Sequence, residues 1–365
     1  MKNLLLISLI ITSIFVSSGK SIKVIDAIEG TPLQGATVIG KSGLIVGVTD
    51  ANGNINISSL NQFPVSIRSL GFEPANIECF SDSVKLFPAI YNLNEIVVGQ
   101  YDRPIKRVVC FVREYATGAT GTDTMQLYSE YMMESFLKDG EKKVKGYKSG
   151  DASPKVRNMR RYTRFTNSKG LDSVSSPKGN DDITMLSWSE IISVPDYKFR
   201  ERRSIMQGAT TDTVMGKYGP GSIFRKQNGI YSVTFDHMSE YKDHKWSPLF
   251  FKLVGMSMDV QNMMNSLAYK VNESSEYSFD DFIYGTYSIH LLAKGKIFKK
   301  IFHTDNPIDM DSYIELYPIS VTYLTPEEYK EARSDKEPIP FQTTSNIQPL
   351  PTSIQTIVER VENKD

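Results

Sequence analysis

The sequence predicts a mainly β protein in which a small N-terminal β-sandwich is followed by a larger antiparallel β-rich domain of the α+β class. Apolar and polar residues alternate along several short segments before residue 98, and turn-forming residues separate these segments. Longer alternating segments continue to about residue 323. With 365 residues, of which 40% are hydrophobic, the chain can form about two domains with buried cores.

The strands of the N-terminal domain, residues 20–98, follow one another at short intervals. Residues 21–26 alternate like an edge strand, and residues 30–38 form a turn and a second strand. Residues 47–55 place Asp, Asn and Gly between two strand segments, because these residue types tolerate the dihedral angles of a tight turn. Residues 65–72 and 93–98 complete the predicted sandwich.

This order of strands and turns resembles the carboxypeptidase-regulatory-like, or transthyretin-like, domain that Bacteroidota place at the head of many envelope proteins. The resemblance covers residues 22–98, about a fifth of the chain. It implies an immunoglobulin-like or transthyretin-like β-sandwich in an envelope protein. It implies no carboxypeptidase activity, since in the enzymes that carry such a module the zinc-binding residues lie in another domain.

Residues 1–19 have the pattern of a secretory signal peptide. A short basic start precedes the apolar run at residues 4–16, and small residues follow it. The apolar run is too short to cross ~30 Å of hydrocarbon, so cleavage near Ser18 or Gly19 is predicted instead of a membrane anchor. We therefore expect an exported protein of the periplasm or the outer-membrane surface, with no transmembrane helix in the mature chain.

Residues 99–335 form a second predicted domain, which we assign to no family from the sequence. Residues 126–137 alternate like a strand, although Tyr128, Met132 and Phe136 also have helical spacing, and we favour the strand. The other strand candidates are residues 142–148, which follow a predicted hairpin turn, 160–166, 222–225, 229–236, 284–293, 296–303 and 312–323.

Three segments of this domain have helical signals. Residues 182–192 are followed by Pro195, and residues 256–268 carry a stripe of methionine and other apolar residues at helical spacing. Thr325 is predicted as an N-cap, because Pro326 and Glu328 complete the pattern of a capping box with proline in the first turn.

Residues 336–365 are predicted to contain a proline-rich connector and a short amphipathic helix. The connector, residues 338–351, is polar and is expected to be extended and outside any core. Residues 353–363 place four apolar side chains on one helical face. Because so short a helix is marginal alone, it must dock, and we expect its own domain rather than a partner to receive it.

Charge is unevenly distributed along a chain whose net charge is zero. Residues 99–170 contain 15 basic and 8 acidic residues, a net charge of +7, and residues 233–335 contain 10 basic and 16 acidic residues, a net charge of −6. Self-association or a charged partner is one explanation. We favour the other, in which the two segments are neighbours in the fold and neutralise each other.

The chain has two cysteines, Cys79 and Cys110. In an oxidising compartment they form a possible disulfide between the two predicted domains. The favoured alternative is that they are free, since a buried free cysteine packs as a small hydrophobic residue.

The motifs exclude several classes of ligand. Residues 35–42 match the phosphate-binding loop pattern, but a strand and a turn follow where that chemistry needs a helix, so we expect no nucleotide. An exported chain with no net charge is not expected to bind nucleic acid. His237 and His244 are close together, but no second ligand pair accompanies them, so we predict a charged surface hairpin and no metal.

The sequence identifies no catalytic residue and no cofactor. It lacks the Gly-x-Ser-x-Gly pattern of a nucleophile elbow and the His-Glu-x-x-His pattern of zinc proteases. Ser175 and Lys178 have the Ser-x-x-Lys spacing, but Pro177 prevents the helix that would place both on one face. His290 and His303 are interpreted as ordinary strand residues.

Two groups of arginines beside aromatic residues are the binding candidates. Guanidinium groups next to aromatic rings can hold the phosphate, carboxylate or sugar groups of envelope glycans. The alternative is that they are solvated strand faces. The candidate binding residues are Arg157, Arg160, Arg161, Tyr162, Arg164, Arg200, Arg202 and Arg203.

The sequence thus predicts a non-enzymatic binding or assembly protein of the periplasm or outer membrane that recognises an envelope protein or a glycan. A hydrolase with a site in residues 99–335 is an alternative, and a pocket that gathers His237 or His244 with acidic side chains would favour it. A lipid-carrying half-barrel is another alternative, which requires a large apolar cavity.

Overall fold

The computed structural model describes residues 20–57, 62–89, 102–138, 143–177, 194–195, 198–247, 255–302 and 304–363. The predicted signal peptide, the predicted strand at residues 93–98, the hairpin turn before residue 142, the predicted helix at residues 182–192 and His303 lie outside the described residues. Within these ranges the protein is mainly β and contains a small sandwich and a large antiparallel sheet, as predicted.

The N-terminal sandwich consists of two small sheets. Its strands are β1 (Lys20–Asp26), β2 (Thr37–Ile39), β3 (Ile45–Val48), β4 (Asn54–Ile57), β5 (Val65–Arg68), β6 (Ala75–Ile77) and β7 (Ser83–Leu86). One sheet has the order β4-β1-β7, and the other has the order β3-β2-β5-β6. Strand β1 pairs antiparallel with β4 and parallel with β7. The alternation of β1 places Ile22 and Val24 in a buried core with Val38, Ile67 and Leu86.

The turn predicted between two strands of the sandwich is present at Asp50. Its carboxylate accepts hydrogen bonds from the backbone N–H groups of Asn52 (2.9 Å) and Asn54 (2.8 Å). Gly53 has a φ of +74°, and a Cβ there would lie 2.5 Å from the carbonyl oxygen of Val24. Glycine is therefore required at this position by both dihedral angle and space. Residues 35–42, which match the phosphate-binding loop pattern, contain β2 and the start of a turn. Strand β3 follows this turn, where a phosphate-binding loop would lead into a helix.

The second domain is built on a sheet of ten antiparallel strands. In spatial order the strands are β11 (Asp172–Ser175), β10 (Lys155–Asn167), β9 (Asp123–Lys138), β8 (Ile105–Ala119), β19 (Ile308–Leu324), β18 (Phe282–Gly295), β16 (Met256–Lys270), β15 (Ile230–Asp236), β14 (Pro220–Gln227) and β13 (Thr211–Met215). A separate pair joins β12 (Phe199–Arg200) to β17 (Glu276–Tyr277). The strand predicted at residues 126–137 is confirmed as β9, and the helical alternative is wrong.

The helix predicted at residues 256–268 is wrong, because these residues form β16. The strand pairs with β18 from Met256 to Tyr269 and with β15 from Met264 to Lys270, and these ladders override the local pattern. A β-bulge lies between Val260 and Asn262. The extra residue shifts the alternation, so Val260, Met263 and Leu267 share one face at intervals of three and four residues. A bulged strand thus reproduces the spacing of a helix.

Two predicted strands are also wrong. Residues 296–303 were predicted as a strand, but β18 ends at Gly295 and the helix Lys296–Phe302 follows. Phe298 and Phe302, four residues apart, lie on one face of this helix and are both buried. Residues 143–148, which are all described, contain a turn at Gly146 and lead into a 3₁₀ helix at Ser149–Ala152, so the strand predicted at 142–148 is absent from them.

Four α-helices are described: α1 (Arg203–Met206), α2 (Lys296–Phe302), α3 (Pro326–Ser334) and α4 (Thr352–Glu362). The capping box predicted for α3 is confirmed. The Thr325 hydroxyl accepts from the backbone N–H of Glu328, and the Glu328 carboxylate accepts from the backbone N–H of Thr325 (2.8 Å). Within the described ranges, no helix is long and apolar enough to cross a membrane.

The C-terminal segment connects the sandwich to the large sheet. The Gln348 side chain donates to the carbonyl oxygen of Phe72 in the sandwich (2.8 Å), and the Gln348 carbonyl accepts from Arg113 on β8 (2.5 Å). Ile339 and Phe341 pack against an apolar cluster of the sheet. The connector contains no helix or strand and has a turn at residues 345–346, and the prediction that it lies outside a core is wrong, because Ile339 and Phe341 pack on this cluster.

Helix α4 docks on its own chain, as predicted. Ile354, Ile357 and Val361 are buried on one helical face. They share an apolar cluster with Tyr128, Tyr162 and Val174 of the large sheet, and with Ile39 and Ile45 of the sandwich. One helix therefore covers surface from both domains.

The two segments of opposite charge are neighbours in the fold, as predicted. Arg103 pairs with Glu328 (2.7 Å), and Lys106 pairs with Asp280 (2.8 Å). The charge asymmetry is thus neutralised in part within the chain.

The two cysteines are free. Cys79 is exposed on the sandwich, whereas Cys110 is buried in β8, where burial raises the pKa of its thiol to about 12. The disulfide considered from the sequence is therefore not formed, because Cys110 points into the apolar core of the sheet domain.

Asp151 is expected to contribute to stability in a pH-dependent way. Burial raises the pKa of its carboxyl group, but hydrogen bonds from Lys155, Tyr329 and Arg333 outweigh burial and lower this pKa to about 2. Because the pKa is lower in the folded state than in the unfolded state, the contribution is present above about pH 4 and is lost as the pH falls to about 2. Asp151→Asn should cost about 1–2 kcal/mol at pH 7 and little at pH 2.

Denaturant unfolding at several pH values tests this expectation. Asp305→Asn is the matched control, because Asp305 is exposed and pairs only with the exposed Lys299 in the described contacts. If Asp151→Asn loses the same stability at pH 7 and at pH 2, the lowered pKa of Asp151 does not contribute to the stability of the fold.

Candidate functional site

An open cleft lies at one end of the large sheet, beside the β13–β14 turn. Its volume is about 490 Å³, which is within the range of small-molecule sites. We call it the 214–246 cleft. Its lining includes the side chains of Met215, Phe235, Asp236, His237, Glu240, Tyr241, Trp246 and Met263.

Close backbone packing shapes the wall of the cleft. A Cβ at Gly216 would lie 2.8 Å from the Glu240 carboxylate, and a Cβ at Gly221 would lie 3.0 Å from the Gly216 nitrogen. The two glycines let the β13–β14 turn approach the 3₁₀ helix His237–Glu240, where the Tyr218 N–H donates to the Ser239 carbonyl (2.8 Å). The wall is therefore formed by hydrogen-bonded backbone.

An aromatic pair forms one side of the cleft. The rings of Tyr241 and Trp246 are stacked, with centroids 5.8 Å apart and planes inclined by 25°, and both side chains are 37% exposed. Backbone hydrogen bonds in both directions between Trp246 and Val260 (3.0 and 2.8 Å) tie Trp246 to β16. Met215, 65% exposed, adds apolar surface. Exposed aromatic rings held in place are suited to packing against a ligand.

Polar groups accompany this apolar side. His237 Nε2 lies 2.5 Å from the Asn265 side-chain oxygen, which orients the imidazole ring. The Asp236 carboxylate accepts from the Met238 N–H (2.9 Å) as the cap of the 3₁₀ helix. Glu240 also lines the cleft, so one imidazole and two carboxylates belong to the same cleft as the aromatic pair. The side chain of His244, the other histidine considered from the sequence, lies outside the described residues.

The first group of predicted binding arginines is engaged by the chain itself. Arg157 pairs with Glu134 and donates to the carbonyl oxygen of Glu337 (2.7 Å). Arg160 lies 3.9 Å from the ring centroid of Phe341, and the buried Arg161 donates to the Tyr131 hydroxyl (3.2 Å). Arg164 pairs with Asp172 (2.9 Å), and the Tyr162 hydroxyl donates to Glu362 (3.2 Å). These side chains bind strands together or hold the C-terminal segment.

The second group lies near β12 and α1. Arg200 pairs with Glu276 (2.6 Å), Arg202 pairs with Asp212 (3.0 Å), and Arg203 is exposed at the start of α1. Of the described residues that line the 214–246 cleft, none belongs to either group.

Sequence reasoning singled out the segment of His237 for its histidines but missed Tyr241, Trp246 and Met215. The sequence feature that could have indicated them is a tryptophan, one of two in the chain, and a tyrosine, both in a charged segment without strand alternation. Apolar residues in such a segment have no core to fill, which is a reason to expect them at a binding surface.

The chain matches no protein-family model, and no curated protein matches it in sequence. Its function is therefore inferred from the chemistry of its surface.

Proposed function

We propose that the protein is an exported, non-enzymatic binding protein of the cell envelope whose 214–246 cleft holds a sugar unit of an envelope glycan. The observation that carries the proposal is the stacked pair Tyr241 and Trp246 beside the polar groups of His237 and Glu240. A pyranose ring has an apolar C–H face and a rim of hydroxyl groups. The face packs on an aromatic ring, and the hydroxyl groups donate to carboxylates.

The sequence supports the compartment in this proposal. The signal-peptide pattern of residues 1–19 and the resemblance of residues 22–98 to regulatory-like domains of envelope proteins both favour export. The sandwich packs against the large sheet and contributes no residue to the lining of the cleft. In this proposal it serves as a scaffold.

Trp246→Ala is expected to weaken sugar binding about 5- to 30-fold, because loss of one aromatic contact costs about 1–2 kcal/mol. The measurement is calorimetric titration of the full chain with a panel of neutral, amino and acidic oligosaccharides. Phe87→Ala is the matched control, since Phe87 is an exposed aromatic residue of the sandwich that does not line the cleft. The proposal fails if no sugar binds, or if the two variants bind equally well.

A hydrolase is the second candidate, because the cleft gathers His237 with Asp236 and Glu240, and a histidine beside acidic side chains can act in acid–base catalysis. Two contacts favour binding over turnover: Asp236 is occupied as a helix cap, and His237 is bonded to Asn265. Incubation with chromogenic glycosides and esters separates the two candidates. We expect no turnover, whereas turnover that is lost in His237→Ala and Glu240→Gln would establish the hydrolase.

A further inference from the structure

Three potential metal ligands that do not line the 214–246 cleft meet on the large sheet. His290 on β18 is the direct cross-strand partner of Asp311 on β19, and Asp309 lies two residues from Asp311 on the same face. His290 Nδ1 is 3.0 Å from Asp311 Oδ1 and 3.4 Å from Asp309 Oδ1. One ligand atom from each of the three side chains lies within 4.8 Å of the others.

The other ring nitrogen of His290 sets the tautomer. His290 Nε2 lies 3.2 Å from Gln261 Oε1, and with the amide oxygen in this position Nε2 is the ring nitrogen that carries the hydrogen. In a neutral imidazole the lone pair is then on Nδ1 and is directed at the two carboxylates. The Nδ1 atom and the two carboxylates then face one another, and a metal cation, or a proton that Nδ1 donates to Asp311, offsets their negative charge.

The bulge in β16 places the residue that orients this ring. Gln261 is the extra residue between Val260 and Asn262, and Asn262 is the register partner of His290. In a regular strand, successive side chains point to alternate faces of the sheet. A bulge interrupts this alternation and changes the direction of the side chain of the extra residue, here Gln261. A metal-bound imidazole usually donates its second N–H to a carboxylate, a backbone carbonyl or water, and the Gln261 carbonyl oxygen occupies the place of such an acceptor here.

We propose that His290, Asp309 and Asp311 bind a divalent cation of the zinc type, with Gln261 as the residue that positions His290. One imidazole and two carboxylates form a three-ligand set that suits zinc and leaves a position for water. Calcium and magnesium are disfavoured, because they prefer oxygen ligands throughout. The side chains of His290, Asp309 and Asp311 are 28%, 55% and 16% exposed, so an ion from solution can reach the site.

The test is calorimetric titration of the full chain with zinc chloride after removal of metal, in a Cys79→Ser background, because an exposed thiol also binds zinc. One saturable site is expected. His290→Ala and Asp311→Asn should lower the affinity at least 100-fold, whereas the matched control Asp305→Asn, an exposed aspartate outside the cluster, should not change it.

Gln261→Ala tests the positioning role. It should lower zinc affinity about 10- to 100-fold while the ligands remain. Cobalt(II) in place of zinc provides a spectroscopic readout, since its visible absorption reports ligand geometry, and this spectrum should change in Gln261→Ala and disappear in His290→Ala. Folding of each variant is checked by circular dichroism. The proposal is overturned if no saturable binding occurs, which would leave a proton as the charge between the groups, or if His290→Ala binds zinc as the unmodified chain does.

Discussion

Arg68→Met is expected to destabilise the protein by about 3–5 kcal/mol, because it leaves the buried carboxylate of Glu315 without its partner. Arg68 is on β5 of the sandwich and Glu315 on β19 of the large sheet, and their side chains are each 1% exposed. Arg68 Nε donates to Glu315 Oε1 (2.8 Å), and another guanidinium nitrogen donates to the Pro349 carbonyl (2.8 Å). The pair joins three parts of the chain.

The double variant Arg68→Met with Glu315→Met is expected to recover most of this loss, because apolar side chains need no partner in the interface. Arg200→Met is the matched control. Arg200 pairs with Glu276 at the surface, so its loss should cost less than about 1 kcal/mol. Guanidinium unfolding followed by circular dichroism measures all three variants. Equal losses in Arg68→Met and Arg200→Met would contradict a structural role for the buried pair.

Ile357→Ala in α4 is expected to cost about 2–5 kcal/mol, the usual range for truncation of a buried isoleucine. Ile357 is buried in the cluster that includes Tyr162 of the sheet and Ile45 of the sandwich. Thr356→Ala is the control, since Thr356 is the exposed neighbour and its hydroxyl only donates to the backbone of Thr352. Its replacement should cost less than about 0.5 kcal/mol.

Release of α4 should also loosen the contact between the two domains. A chain that ends at Pro351 exposes the apolar surface of Ile39, Ile45 and Val174. We expect faster limited proteolysis within residues 338–351 and a lower unfolding temperature than in the full chain. If the truncated chain unfolds at the same temperature and resists protease equally, α4 has no role in joining the domains.

Local patterns in the sequence predicted the features that depend on neighbours in the chain. The turn at Asp50 forms because its carboxylate reaches N–H groups two and four residues later. The start of α3 at Thr325 forms because Glu328 is three residues away. The buried face of α4 follows from apolar residues at helical spacing.

The wrong predictions for β16 and α2 have different causes. The bulge at Gln261 gave β16 the spacing of a helix, and only pairing with β15 and β18 decides that the segment is a strand. In α2 the apolar residues Phe298 and Phe302 fit a helix, but the adjoining strand pattern concealed it in the sequence.

The candidate sites show the same division. Two of the arginines that the sequence offered as ligand-binding groups, Arg157 and Arg160, contact Glu134 and Phe341, which are distant in the chain. His290 and Asp311 are 21 residues apart and meet only through the register of β18 and β19.

The sequence by itself determined the β-rich class, the division into a sandwich and a larger domain, and the capped helix α3. These depend on alternation, turn residues and caps, whose interactions extend over a few residues. Only the tertiary structure decided the path of the C-terminal segment between the domains, the aromatic cleft at Trp246 and the meeting of His290 with Asp309 and Asp311. Strand register and domain packing bring together side chains far apart in the chain, and no local pattern encodes those distances.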